Sequence, residues 1–256
     1  MKGTMLSLSS HWTVGDLLGS GGYGRVYELA GGDQPAVAKF VPKAPGADRE
    51  LLFTELEHVR NVVPIIDFGE HQNAWVLVMP RAEKSLRQHL ADNGGVLDPA
   101  EAVLVLADVA AALVDLQGSV VHRDLKPENV LLLGGSWCLA DFGISRYAEA
   151  STAPDTHKWA MSPPYAAPER WRSERATSAA DVYALGVMGF EMLKGHRPFA
   201  GTSVEDYREL HLHHNPPGVD GVPVALATLL DECLFKSPAT RPSPENLLAR
   251  LNRQQA

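Results

Sequence analysis

His122-Arg123-Asp124-Leu125-Lys126-Pro127-Glu128-Asn129 packs a carboxylate, an ammonium and a carboxamide into one short loop. Asp124 stands two positions before Lys126 and five before Asn129. Together these groups can accept a proton, neutralise a phosphate and offer oxygen to a divalent metal. In isolation such a mixture most often belongs to a solvated loop. Its meaning depends on what the rest of the chain places beside it.

The chain has 256 residues, enough for one large domain or two lobes. Hydrophobic residues make up 45% and charged residues 21%, the balance of a soluble globular protein. No run of about 18 apolar residues is present, so a transmembrane helix is not expected. Met1-Lys2-Gly3-Thr4-Met5-Leu6 lacks a signal-peptide apolar region. Two cysteines cannot build a disulfide framework, and a reduced, cytoplasmic setting is expected. The net charge of -8 argues against nucleic acid as a partner. No basic or lipidated membrane anchor is visible.

The first third reads as strands: apolar runs at 17–18, 25–29 and 35–40, the last two separated by Gly31-Gly32. A short helix is predicted over 48–58. Strands over 62–68 and 74–79 follow, with 69–73 as their turn. The character changes after Pro80. Asp98 as N-cap and Pro99 at the first helical position open a long helix to about Gln117, apolar nearly all round and hence buried. Further helices are predicted over 181–194, stopped by Gly195, and over 224–235 and 244–252. Residues 144–180 read as a long loop, a length that is usually functional.

Gly19-Ser20-Gly21-Gly22-Tyr23-Gly24-Arg25-Val26 lies between two strands. A dinucleotide-binding turn would instead lead from a strand into a helix. The placement favours a flap whose backbone closes over phosphates. A glycine pattern of this kind is weak evidence on its own. Val37-Ala38-Lys39 offers an ammonium fifteen residues after Gly24; its bland alternative is a lysine reaching to water. Ala140-Asp141-Phe142-Gly143 offers a carboxylate suited to a hard cation, or a plain turn. His211, His213 and His214 are poorly spaced for zinc and read as a surface helix end. His122 reads as a structural brace for the loop 122–129 and Phe142. Cys138 is expected in a strand and Cys233 in a helix core.

Taken together, these pieces resemble the protein kinases of the eukaryotic type, in particular the Ser/Thr class. The resemblance covers residues 12 to 250. It is carried by the flap, Val37-Ala38-Lys39, the loop 122–129, Asp141-Phe142-Gly143 and Ala167-Pro168-Glu169. Ser178 to Val187 resembles the family's buried-aspartate helix. Pro238 to Ser243 resembles the segment whose arginine pairs with the glutamate of Ala-Pro-Glu. The alanine-rich, minimal layout is similar to bacterial members. The resemblance implies an α+β, bilobal fold: a small antiparallel sheet with one helix over about 11–79, a hinge at 80–83, and a larger, mainly helical lobe over 84–256.

It also implies roles. Asp124 would accept or orient the substrate hydroxyl proton, Lys126 would neutralise the transferring phosphate, and Ser162 would hydrogen-bond both. Met161 departs from the glycine usual before that hydroxyl. Asn129 and Asp141 would hold magnesium, with manganese as an alternative. Lys39 would bind the phosphates of ATP beneath Gly19, Gly21 and Gly24. Leu18, Val26 and Ala38 would sandwich the adenine. Met79 would be the gatekeeper, or simply core. Pro80 and Ala82 would face the adenine edge. Counting back from Asp67 points to Glu50 as the partner of Lys39, with Glu55 and Glu57 as rivals. Lys126 points to Ser and Thr acceptors. Arg123 would receive a phosphate on Ser151, Thr152 or Thr156, added by the chain itself. The expected partners are therefore protein substrates bearing Ser or Thr, itself included. The competing function is a pseudokinase-like binding module, and a third is a small-molecule kinase. All of Lys39, Asp124 and Asp141 are present, which speaks against the first; the Ala-Pro-Glu segment speaks against the second.

Overall fold

The structure is a computed structural model that describes residues 1–21, 24–43, 56, 59–142, 146–147 and 161–255. Strands β1 (Met5–Ser7), β2 (His11–Gly21), β3 (Gly24–Ala30), β4 (Ala36–Pro42), β5 (Asp67–His71) and β6 (Ala74–Pro80) form one antiparallel sheet in the order β1-β2-β3-β4-β6-β5. Successive strand residues point to opposite faces. One face gathers Leu6, Trp12, Val14, Tyr27, Leu29, Ala36, Ala38, Phe40, Val76 and Val78 into a buried core. Tyr27 and Phe40 meet edge to face at 5.3 Å.

The sheet curls until its two ends touch. Asp67, on the last strand of the order, accepts from the Ser9 N–H (3.2 Å), the Ser10 N–H (3.0 Å) and the Trp12 indole N–H (2.9 Å). Burial pushes this carboxyl up. The hydrogen bonds from Trp12, Ser10 and Ser9 outweigh that and hold it below the usual carboxylate range.

The rest of the chain is mainly helical: α1 (Leu86–Asp92), α2 (Pro99–Leu116), α3 (Pro168–Trp171), α4 (Ser178–Lys194), α5 (Val204–His213), α6 (Val224–Cys233) and α7 (Pro244–Asn252). Short strands β7 (Lys84–Ser85), β9 (Val130–Leu133) and β10 (Ser136–Leu139) form a three-stranded sheet, and β8 (Val120–Val121) pairs with β11 (Arg146–Tyr147). The Asp98 carboxylate caps α2 by accepting from the Ala100 N–H at 2.8 Å. Helices α2 and α4 are buried almost all round and form the centre of the larger core. Gly195 ends α4 in the left-handed region, at φ 73°, where a side chain is disfavoured.

Several expectations need correction. Residues 62–66 are not strand. Val62 makes a parallel bridge to Leu139, and the Val63 N–H donates to Leu139 O, so this stretch splices the upper sheet to β10. Strand β5 starts at Asp67 and runs through Gly69 to His71, because the turn needs only Gln72 (φ 53°) and Asn73. Helix α4 begins one turn earlier than expected, and α6 stops at Cys233 rather than 235. The supposed loop 144–180 contains a 3₁₀ turn (Pro163–Tyr165), α3 and the start of α4. His211 is not on a surface. It is fully buried, bonded to the Tyr183 hydroxyl at 2.8 Å and packed against Phe199, and burial pushes it down to about 3. His213 and His214 are exposed. The predicted helix 48–58 lies outside the described residues except Leu56.

Candidate active site

Asp181, buried in the first turn of α4, accepts from the His122 N–H and the Arg123 N–H, each at 2.8 Å. Burial pushes its carboxyl up, against the pull of His122 and of these bonds. The two bonds clamp the loop that enters from β8. They help hold Arg123 in the left-handed region (φ 70°), which costs a residue with a side chain about 1–2 kcal/mol. His122 adds a contact to Ala140 O at 3.0 Å, and its ring lies 4.8 Å from that of Phe142. The histidine therefore braces the loop against the Asp141 segment, as expected.

The clamped loop aims Asp124. Lys126 Nζ donates to Asp124 Oδ2 at 2.7 Å and to Ser162 Oγ at 3.0 Å, and Ser162 Oγ donates to Asp124 Oδ1 at 2.7 Å. Asn129 Nδ2 donates to Asp124 O at 2.9 Å and to Oδ2 at 3.3 Å. Three side chains, up to 38 positions away in sequence, thus converge on one carboxylate. The set can position a hydroxyl, take its proton and neutralise developing negative charge.

Beside it lies a cavity of about 660 Å³. Leu18, Gly19 and Val26 line its roof, Lys39 and Asp141 its inner end, and Leu131 and Asn129 its floor. Lys39 Nζ donates to Asp141 Oδ1 at 2.8 Å, and its side chain is only 9% exposed. Asp141 takes φ 63°, a second left-handed residue at the site. Among the described residues no group of three or more His, Cys, Asp or Glu side chains is fit to hold a metal. Asn129 and Asp141 offer oxygen and are too few to enclose a cation. Such a pair could contribute to holding a hard divalent cation but would not enclose it.

Residues 79–83 also reach the cavity. Met79 lines it and packs against the cluster of Val63, Cys138 and Ala140, so it belongs to both cavity wall and core. Pro80 and Ala82 line it too. The neighbouring Arg81 N–H donates to Pro35 O and the Glu83 N–H to Leu132 O, each at 2.9 Å. Ala82 lies between these two anchored amides.

One assignment moves. Ala38 is fully buried on the opposite face of β4, among Tyr27, Phe40 and Val78, while Val37 lines the cavity with Lys39. Strand alternation requires this: residues 37 and 39 share a face and 38 does not. The same rule, applied to Lys39, points to Val37 from sequence alone. Gly21 and Gly24 lie beyond this cavity and line a second hollow at the end of the sheet. At Gly24 a Cβ would fall 2.4 Å from Phe40 O, with φ at 142°, so glycine there serves the close strand approach. Glu50, Glu55, Glu57, Gly22, Gly143, Ser151, Thr152 and Thr156 lie outside the described residues.

Two further sequence readings find their partners. Arg241 forms a two-pronged ion pair with Glu169, at 2.7 and 2.8 Å, with both side chains essentially inaccessible. Burial pushes the Cys138 thiol up to about 11 and the Cys233 thiol up to about 12, so both stay protonated.

Comparison with known proteins agrees with this geometry. The family model described as "Protein kinase domain" matches residues 12–251. The chain is 39% identical to the serine/threonine-protein kinase PkaA of Streptomyces coelicolor over 73% of its length, covering 35% of that protein. It is 33% identical to PkaB of the same organism over 95% of its length, covering 63%. It is 32% identical to PrkC of Bacillus subtilis over 73% of its length, covering 30%. The chain thus spans less than two thirds of the length of these relatives. With the family model covering nearly all of it, the chain belongs to the protein kinase domain family.

Proposed function

We propose that this chain transfers the γ-phosphoryl group of ATP to Ser and Thr hydroxyls of protein substrates. The observation that carries the reading is the closed set of bonds among Asp124, Lys126 and Ser162. Asp124 accepts the acceptor's hydroxyl proton as that oxygen bonds to the γ-phosphorus. The bond from phosphorus to the β–γ bridging oxygen breaks, and ADP leaves. Lys126, already at the carboxylate, stabilises the charge carried by the transferring group. Lys39 holds phosphates once it leaves Asp141. Asn129 and Asp141 hold the divalent metal that the family uses, which neutralises phosphate charge when bound. Magnesium is the metal that an oxygen-only, two-residue set favours, with manganese as its substitute. Val37, Leu18 and Val26 enclose the adenine, with Met79, Pro80 and Ala82 at its edge.

The same reading makes the chain one kinase domain, with residues of about 11–79 as the upper lobe, 80–83 as hinge and 84–256 as the lower lobe. It adds autophosphorylation of the 145–160 segment and a cytoplasmic place of action. Among the described residues no helix is long and apolar enough to cross a membrane. A pseudokinase role has no support, since Lys39, Asp124 and Asp141 are all in place.

The test is transfer of labelled γ-phosphate from ATP to generic protein substrates, with Asp124→Asn as the control. Phosphoserine and phosphothreonine should appear with the parent chain alone. Equal labelling by the variant would remove this site from consideration.

A further inference from the structure

A second polar cluster lies behind the catalytic carboxylate and takes no part in the mechanism above. Arg87, near the start of α1, donates from Nε to Glu128 Oε1 at 2.7 Å. Its Nη1 donates to Glu191 Oε1 at 2.9 Å, and its Nη2 to the Tyr165 hydroxyl at 2.6 Å. Tyr165 Oη in turn donates to Glu191 Oε2 at 2.6 Å. Glu191 belongs to the buried face of α4, the same rigid helix that carries Asp181. One guanidinium thus joins three separate chain segments to the centre of the helical core.

Two of those segments share a design. Glu128 sits in the 3₁₀ turn Pro127–Asn129, whose preceding residue is Lys126. Tyr165 ends the 3₁₀ turn Pro163–Tyr165, whose preceding residue is Ser162. Each turn grips that residue by its backbone: the Asn129 N–H donates to Lys126 O at 2.9 Å, and the Tyr165 N–H to Ser162 O at 3.0 Å. Lys126 and Ser162 are the two residues that meet on Asp124. Arg87 holds the far side of both turns. A short turn stiffened by proline and tied at its end transmits position well, since it has few soft dihedrals.

We propose that Arg87 is a positioning residue: by clamping Glu128 and Tyr165 to Glu191 it sets the distance between Lys126 and Ser162, and so the aim of Asp124. The guanidinium suits this task because its planar fork can satisfy several acceptors in fixed directions, which an ammonium cannot. Displacing reacting groups by about 1 Å can cost up to about a hundredfold in rate. Of the four clamp residues only Glu128 lines the cavity, and none lines its roof, so the KM for ATP should change little.

This rests on the kinase reading, and the experiment separates the two. Arg87→Ala, Arg87→Lys, Ser162→Ala and the double variant Arg87→Ala/Ser162→Ala are assayed for phosphoryl transfer, with kcat and the KM for ATP resolved. Arg60→Ala serves as control, since it breaks an exposed ion pair with Asp115. Arg87→Ala should lower kcat about ten- to a hundredfold with KM for ATP within about twofold. Arg87→Lys should recover part of the loss. The double variant should be little worse than the poorer single one, because both changes break the same support. The thermal midpoint of each variant checks that it is folded at the assay temperature. If Arg87→Ala does not fold, Tyr165→Phe removes only the hydroxyl that ties the second turn to Arg87 and Glu191 and should show the same split. Unchanged kcat in Arg87→Ala, or losses that multiply in the double variant, would overturn the clamp. No transfer by the parent chain would instead overturn the kinase reading itself.

Discussion

Asp124 is gripped through both carboxylate oxygens, whereas Gly19 in the flap has nothing within 4 Å of where a side chain would begin. The contrast extends along both walls of the cleft. Below, the loop is tied to Asp181, His122 to Ala140, and Asn129 to Asp124. Above, Leu18 is 46% exposed. The lower wall is held by its own side-chain bonds. In the proposed function, the upper wall would offer backbone to phosphates. Preorganisation therefore sits where charge must be steered, and freedom sits where substrate must enter and product must leave.

The largest effect that would test this contrast is chemical. Asp124→Asn should reduce kcat on the order of a hundred- to ten-thousandfold, with the melting temperature nearly unchanged, because the amide keeps the shape but cannot take a proton. A rate close to that of the parent chain would mean the lower wall is organised for something else. Next comes Arg241→Ala. It leaves Glu169 buried and unpaired, and should lower unfolding free energy by about 3–5 kcal/mol in a urea titration. A loss under about 1 kcal/mol, as for an exposed pair, would deny the lower lobe its rigid floor.

On β4 a pair of substitutions sharpens the division between cavity and core. Ala38→Leu should cost about 1–3 kcal/mol of stability by overpacking, with nucleotide affinity retained. Val37→Phe should do the reverse, weakening ATP binding by filling the cavity while the fold holds. Calorimetric titration and melting of both would separate the two faces. The smallest expected effect concerns Asp67. Its folded pKa is depressed, so its contribution is complete above the ordinary value of about 4 and is lost as pH falls through the folded value. Replacing it by Asn should flatten the acid side of the stability profile by about 1–2 kcal/mol. An unaltered profile would show that the closed sheet does not depend on this carboxylate.

Much of the lower wall was legible because its chemistry is written in short, fixed spacings. Asp124, Lys126 and Asn129 share one loop. Helix α2 announces itself through Asp98, Pro99 and an apolar run, and α7 through Ser243 and Pro244. What escaped depends on partners distant in sequence. The register of β5 is set by β6, and the Gly69 inside it looked like a turn. Strand β1 has three residues and needs β2 to exist. Helix α1 is short, and α5 is a polar helix whose buried residue is a histidine rather than an aliphatic side chain. Ala38 was misplaced by motif matching where the two-residue period of a strand would have chosen Val37. The link between Lys39 and a helix glutamate remains a proposal centred on Glu50.

The clasp at Asp67 carries a practical lesson about where recognition and folding begin. The family match starts at residue 12. Yet Leu6, at 1% exposure, belongs to the sheet's core, and Ser9 and Ser10 each supply an N–H bond to Asp67. A shortened chain that starts at the family boundary would lose a strand, open a gap at Leu6 and leave a buried carboxylate short of donors. It would also leave β2, the strand that ends in the flap, as a bare edge free to pair with another molecule. The boundary that a motif draws around an activity is narrower than the unit that must fold together to display it.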